Sequence, residues 1–101
     1  MRKSLNKFHD GKTGAAITVA IQYGARTAKV TKFLKDGTVN IVLTSTAAGK
    51  EADKELMQFL VKTLHVDEKK LEMLAGSDEN KLISIVDMPP EEVDQIFRAL
   101  L

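Results

Sequence analysis

Cysteine is absent from the 101-residue chain, which removes disulfides, thiolate metal sites and thiol nucleophiles together. Tryptophan is absent as well, and aromatic residues make up 5% of the chain. Near the basic groups only Phe8, Tyr23 and Phe33 are there to stack on nucleic-acid bases. No apolar run approaches the ~20 residues needed to span a bilayer. Residues 1–8 are basic and lack the apolar stretch of a secretion signal. The expectation is therefore a cytoplasmic protein with no membrane contact.

What is present suits one packed domain. The length allows one domain over residues 1–101, with residues 1–8 a tail or an edge strand. Apolar residues make up 44% of the chain, enough for a core. The formal charge of +1 is unevenly spread. Residues 1–50 carry 9 Lys/Arg and 2 Asp/Glu, a net +7, and residues 51–101 carry 6 and 12, a net −6. The first reading is that the halves intermix and much of the dipole cancels. The second is a basic face that attracts an anionic partner.

Residues 49–65 carry the strongest periodic signal. Ala52, Leu56, Phe59, Leu60 and Leu64 recur at helical spacing, with Lys50, Glu51, Lys54, Glu55, Gln58 and Lys62 mostly off that stripe. A second helix begins at Pro90, which suits the first helical position, with Glu91 and Glu92 at the positive end. Val93, Ile96, Phe97 and Leu100 form its stripe. Residues 15–23 alternate as a half-buried strand, with Ile17, Val19 and Ile21 on one face. Residues 71–75 form a short strand. The nearly continuous apolar residues of 81–86 suggest a central one. Between residues 30 and 43, Asp36-Gly37 marks a two-residue hairpin turn. Placing Lys35 opposite Thr38 sets Leu34 against Val39, Lys32 against Ile41 and Val30 against Leu43 on one side. Phe33 then falls on the polar side, to be covered by a neighbouring segment. The element order is β-β-β-α-β-β-α.

No catalytic set emerges from spacing. Gly11-Lys12-Thr13 fails as a phosphate loop, because Asn6 stands where the first glycine is needed and a strand, not a helix, follows. His9 and His65 have no ligand spacing, and His65, at a helix end, suits the free carbonyls there. No metal or other cofactor is expected. Two polar places remain as candidates for an anion or a partner. One is the helix start, with Lys50 and Asp53; the other is the loop with Gly76, Ser77 and Lys81. A basic face would group Lys12, Arg26, Lys29 and Lys35, with Lys32 contributing less. The leading reading is a monomeric binding or accessory module with an unassigned partner. The runner-up is weak nucleic-acid binding through the basic half.

Several stretches carry a family likeness. They are Lys7-Phe8-His9-Asp10-Gly11-Lys12-Thr13-Gly14-Ala15-Ala16, Asp36-Gly37-Thr38-Val39, Ala52-Asp53 with Leu56 and Phe59-Leu60, Leu74-Ala75-Gly76, Lys81-Leu82-Ile83-Ser84-Ile85 and Pro90-Glu91-Glu92-Val93. From about Phe8 onward the chain resembles the YggU-like family of small proteins of unknown function. It departs from the family pattern at Tyr23-Gly24 and near Thr46-Ala47, where prolines are usual, and in residues 76–81, which lack an arginine. The resemblance implies an α+β fold of two layers. A mixed sheet of four to five strands would carry two helices on one face. It implies no established activity.

The hairpin yields a direct test. Gly37 should adopt a positive φ, which glycine takes without strain. Gly37→Val should lower the urea midpoint far more than Thr38→Val; equal effects would place the turn elsewhere.

Overall fold

Alternation of apolar and small polar residues draws out the first strand, β1 (Gly14–Gln22). Ala15, Ile17, Val19 and Ile21 are buried, while Ala16, Thr18 and Gln22 are exposed. In the computed structural model, which describes residues 14–101, β1 is the middle strand of a five-stranded sheet. The other strands are β2 (Lys29–Phe33), β3 (Thr38–Val42), β4 (Leu71–Gly76) and β5 (Asn80–Val86); the helices are α1 (Lys50–Leu64) and α2 (Pro90–Ala99). The strand order is β2-β3-β1-β5-β4. Strand β1 pairs parallel with β3 and antiparallel with β5, so the sheet is mixed. The fold is α+β, in the expected element order. The expectations placed on residues 1–8, His9 and Lys12 lie outside the described residues.

The helices share one face of the sheet. Ala52, Leu56, Leu60 and Leu64 of α1, with Val93 and Phe97 of α2, are buried in one cluster with Ile17, Val19, Val39, Ile41, Ile83 and Ile85. The stripe expected for α1 therefore holds, with Phe59 at its half-buried margin. Leu100 does not join the α2 stripe. It caps the end of the helix and is 51% exposed. Helix α1 ends at His65, which takes the left-handed conformation (φ 57°) and donates its backbone N–H to the Val61 carbonyl. Among the described residues, no helix is long and apolar enough to cross a membrane.

The hairpin departs from the expected register in two ways. Its loop has three residues, not two: Leu34 N–H donates to the Thr38 carbonyl at 2.8 Å, and Gly37 N–H to the Leu34 carbonyl at 3.0 Å. Gly37 still needs its freedom, with φ 92°. The second departure is a bulge between Val30 and Lys32. Val30 pairs with Ile41, Lys32 with Asn40 and Phe33 with Val39. The extra residue resets the alternation, so Val30 and Phe33 both face the helices and Lys32 turns to the opposite face. The physical gain is Phe33. Its ring lies 6.1 Å from that of Phe97, and the Arg98 guanidinium sits 5.5 Å from its centroid. Leu34, expected on the apolar side, is 36% exposed.

Strand directions decide where the loops meet. Strands β1, β3 and β4 finish at the end of the sheet where β2, β5 and α1 begin. The β1–β2 loop, the connector of residues 43–49 and the β4–β5 turn therefore gather at one end. Hydrogen bonds lace them together: Gly24 N–H to the Ser45 carbonyl (2.8 Å), Ala25 N–H to the Leu43 carbonyl (2.9 Å) and Ile21 N–H to the Glu79 carbonyl (2.8 Å).

Leu60 is fully buried at the centre of the α1 stripe. Leu60→Ala should cost ~2–5 kcal/mol by lost transfer energy and the cavity left behind. The check is a urea unfolding curve, in which the midpoint falls with little change in slope.

Candidate functional site

The start of α1 is held by one carboxylate. Glu55 accepts from Thr44 N–H (2.8 Å) and Thr44 Oγ1 (2.6 Å) on one oxygen, and from Ser45 N–H (3.0 Å) and Ser45 Oγ (2.8 Å) on the other. Partial burial pushes its pKa up, but the four donors outweigh that and bring it down to about 2. The bonds join residues ten and eleven apart in sequence, a spacing that no local helix or turn rule covers. Gly49, the residue before α1, supplies no side-chain cap. Glu55 instead anchors the connector one turn further into the helix.

A second cluster lies on the β5 side of the same end. The Lys81 side chain, 11% exposed, reaches from the helix-covered face to Asp53, with Nζ 3.5 Å from Oδ1. Its aliphatic stem runs over Gly76, the residue it opposes across β4 and β5. A Cβ on Gly76, whose φ is 152°, would stand 2.8 Å from Lys81 Cδ and 2.5 Å from the Asn80 carbonyl. Ser77 N–H closes the turn onto that same carbonyl at 2.7 Å. Tyr23 donates its hydroxyl to the Asp78 carbonyl. Burial raises the Tyr23 pKa, and Asp78, Asp53 and Glu79 raise it further. The structure thus brings Asp53, Gly76, Ser77 and Lys81 together. Lys50 is exposed one turn before Asp53, in a shallow recess of about 330 Å³ formed by residues 45–52. The Lys81 charge already has a carboxylate partner, with Asp78 and Glu79 on the adjoining turn.

The proposed basic face divides differently. Arg26 is exposed in the β1–β2 loop, and Lys29 stands at the start of β2. Lys35 lies in the turn at the far end of that strand, ~20 Å of extended chain away. Lys32, expected on the apolar side, shares the helix-free face with Lys29 because of the bulge. The Lys81–Asp53 and Lys70–Asp87 ion pairs each lie wholly within the acidic half. Among the described residues Arg26, Lys29, Lys32 and Lys35 have no ion-pair partner, so the hairpin edge keeps its positive charge.

Beside Glu55 an open groove of about 460 Å³ runs between α1 and the β1–β2 loop. Thr27, Ala28, Gln58, Phe59, Lys62 and Thr63 complete its lining. A recess of about 210 Å³ continues it past Ala28 and Phe59 to Lys29, Val30 and Leu100. Sequence reading did not single out Glu55, Phe59 or Lys62 as site residues. Their spacing is that of the ordinary flank of an amphipathic helix, so no local signal marks them. Among the described residues no group of three or more His, Cys, Asp or Glu is placed to hold a metal ion. No family model matches the chain, and no curated protein matches it.

The depressed Glu55 pKa links the clamp to pH. Its contribution is fully present above the unfolded value of 4.5 and is lost as pH falls through about 2. Glu55→Gln should cost about 1–2 kcal/mol near pH ~7, allowing for solvent screening of a half-exposed group. Urea midpoints of the two proteins should converge as pH falls from ~5 to ~2. A constant difference over that range would mean that the charge contributes nothing.

Proposed function

We propose that this protein is a small cytoplasmic binding module, monomeric and without a cofactor, that works through the groove between α1 and the β1–β2 loop. The observation that carries this is the groove itself. It has an apolar floor of Ala28 and Phe59 and a polar rim, and two laced loops and a clamped helix hold its walls. Its volume falls within the ~300–1,000 Å³ usual for binding sites. The one carboxylate that lines it among the described residues, Glu55, is held far below the pKa of a general acid or base working near neutral pH. The YggU-like resemblance belongs to the same proposal and adds no activity to it.

The runner-up is nucleic-acid binding, favoured by Lys29 and Lys32 standing together on the helix-free face of the sheet. That face presents Ala16, Thr18, Ala20 and Asn40 beside them, without an aromatic among the described residues to stack on a base. Attraction there would be to phosphates alone.

Amide shifts of the ¹⁵N-labelled protein separate the two readings. With a mixed pool of short peptides, saturable shifts should gather at Ala28, Phe59 and Thr63. With mixed single-stranded RNA and DNA at ~50 mM salt, the sheet face should stay unmoved. Saturable shifts at Lys29, Lys32 and Asn40 that fade steeply with salt would replace the module reading with the nucleic-acid one. An unmoved groove in the peptide arm would remove the module reading.

A further inference from the structure

We infer that Asp36-Gly37, at the tip of the β2–β3 hairpin, is a site of spontaneous isoaspartate formation in the folded protein. This modification is independent of the groove and of what the groove binds. The reaction needs a carboxyl carbon held beside the next backbone nitrogen, and no bulk on the residue that carries that nitrogen. Both conditions meet here. Asp36 is exposed, and its Oδ1 accepts the Thr38 N–H at 2.9 Å. A side chain that reaches the N–H two residues on lies folded over the peptide between, so the carboxyl group stands alongside the Asp36–Gly37 bond. Gly37 has no side chain, and the space a Cβ would occupy is open. Among the described residues every other Asp or Asn precedes a residue whose Cβ crowds its nitrogen.

The chemistry balances with water alone. The Gly37 amide proton, bonded to the Leu34 carbonyl at 3.0 Å, passes to solvent. The nitrogen attacks Cγ of the protonated Asp36 carboxyl group. A C–N bond forms, the C–OH bond breaks, and the hydroxyl leaves as water with a proton from solvent. A five-membered imide remains. Water then adds at either imide carbonyl. Cleavage on the Cγ side restores aspartate. Cleavage on the backbone carbonyl side leaves the chain running through Cγ and frees an α-carboxylate. Nothing is oxidised or reduced, and the mass is unchanged. The Thr38 N–H also holds the Asp36 carboxyl below the usual carboxylate range, so the protonated form that loses water is scarce and conversion is slow. The product loosens the hairpin, because an extra backbone carbon enters a three-residue loop closed by Leu34 N–H on the Thr38 carbonyl at 2.8 Å. Phe33, one residue before that closure, is the side chain whose ring lies 6.1 Å from Phe97.

The test keeps the folded protein for weeks at neutral pH in ¹⁸O-water, digests it in ordinary water and reads each peptide by electron-transfer fragmentation. The peptide that carries residue 36 should gain an ¹⁸O atom and contain isoaspartate. The chain has a second such pair, Asp10-Gly11, outside the described residues, and it is read on a separate tryptic peptide. Asp36→Ser keeps a side-chain acceptor for the Thr38 N–H and should show no label at residue 36. Asp36→Asn keeps the same turn and loses ammonia, a better leaving group, so it should convert several-fold faster. The isoaspartate-bearing fraction of the aged protein should unfold at lower urea than the unaged protein. Label at residue 36 that appears only when the protein is kept unfolded in urea would overturn the inference, since the turn would then protect the pair. Label on the Asp10-Gly11 peptide with none at residue 36 would overturn it as well. A converted fraction with an unchanged urea midpoint would overturn the loosening of the hairpin.

Discussion

One carboxylate governs how the helical layer meets the sheet. Strand β3 ends at Val42, and within eight residues the chain must leave the sheet and start α1 across its face. Gly49 offers no cap, and the connector of residues 43–49 has only Leu43 to bury deeply. Glu55 solves both problems by taking the N–H and hydroxyl of two successive residues. Once Thr44 and Ser45 are fixed, the Ser45 carbonyl is placed to receive Gly24 N–H, so the β1–β2 loop is held too. The groove wall and the first turn of α1 thus inherit their positions from a single side chain.

Most of the architecture was legible in the chain because it follows from periodicity. The α1 stripe, the proline start of α2, the alternation of β1 and the central place of the 81–86 run all reduce to which residues avoid water. The hairpin shows where that reasoning stops. Strict alternation from the Asp36-Gly37 turn puts Lys32 inward and Phe33 outward. The chain instead inserts a bulge at Thr31, which lets the larger apolar side chain reach Phe97. A local pattern cannot weigh a contact with a helix more than sixty residues away.

The site was legible only in part for the same reason. Asp53 and Lys81 were each visible as polar residues near element ends, but their meeting depends on strand order and direction. Placing β5 next to β1, with β4 beyond it, sets the 77–79 turn beside the start of α1. Glu55, Phe59 and Lys62 looked like the ordinary flank of an amphipathic helix. They matter because the β1–β2 loop lies opposite them. The expected mixing of the two oppositely charged halves fails at β2. Its cations line one margin of the sheet, and the acids Glu72, Asp78 and Glu79 lie on the β4–β5 side.

Both outermost strands carry an irregularity. In β2 the ladder slips between Val30 and Lys32, and in β4 between Met73 and Ala75. An outer strand exposes a row of unused amide and carbonyl groups, onto which a stray chain can zip. A slip breaks the even spacing of that row, so an incoming straight strand can match the groups on one side of the break but not on both. Lysines at 29, 32 and 35 add repulsion between copies along the first margin. The bulge that turns Phe33 toward the helices therefore has an effect at the other side of the strand: it disfavours the pairing of a second copy along that edge.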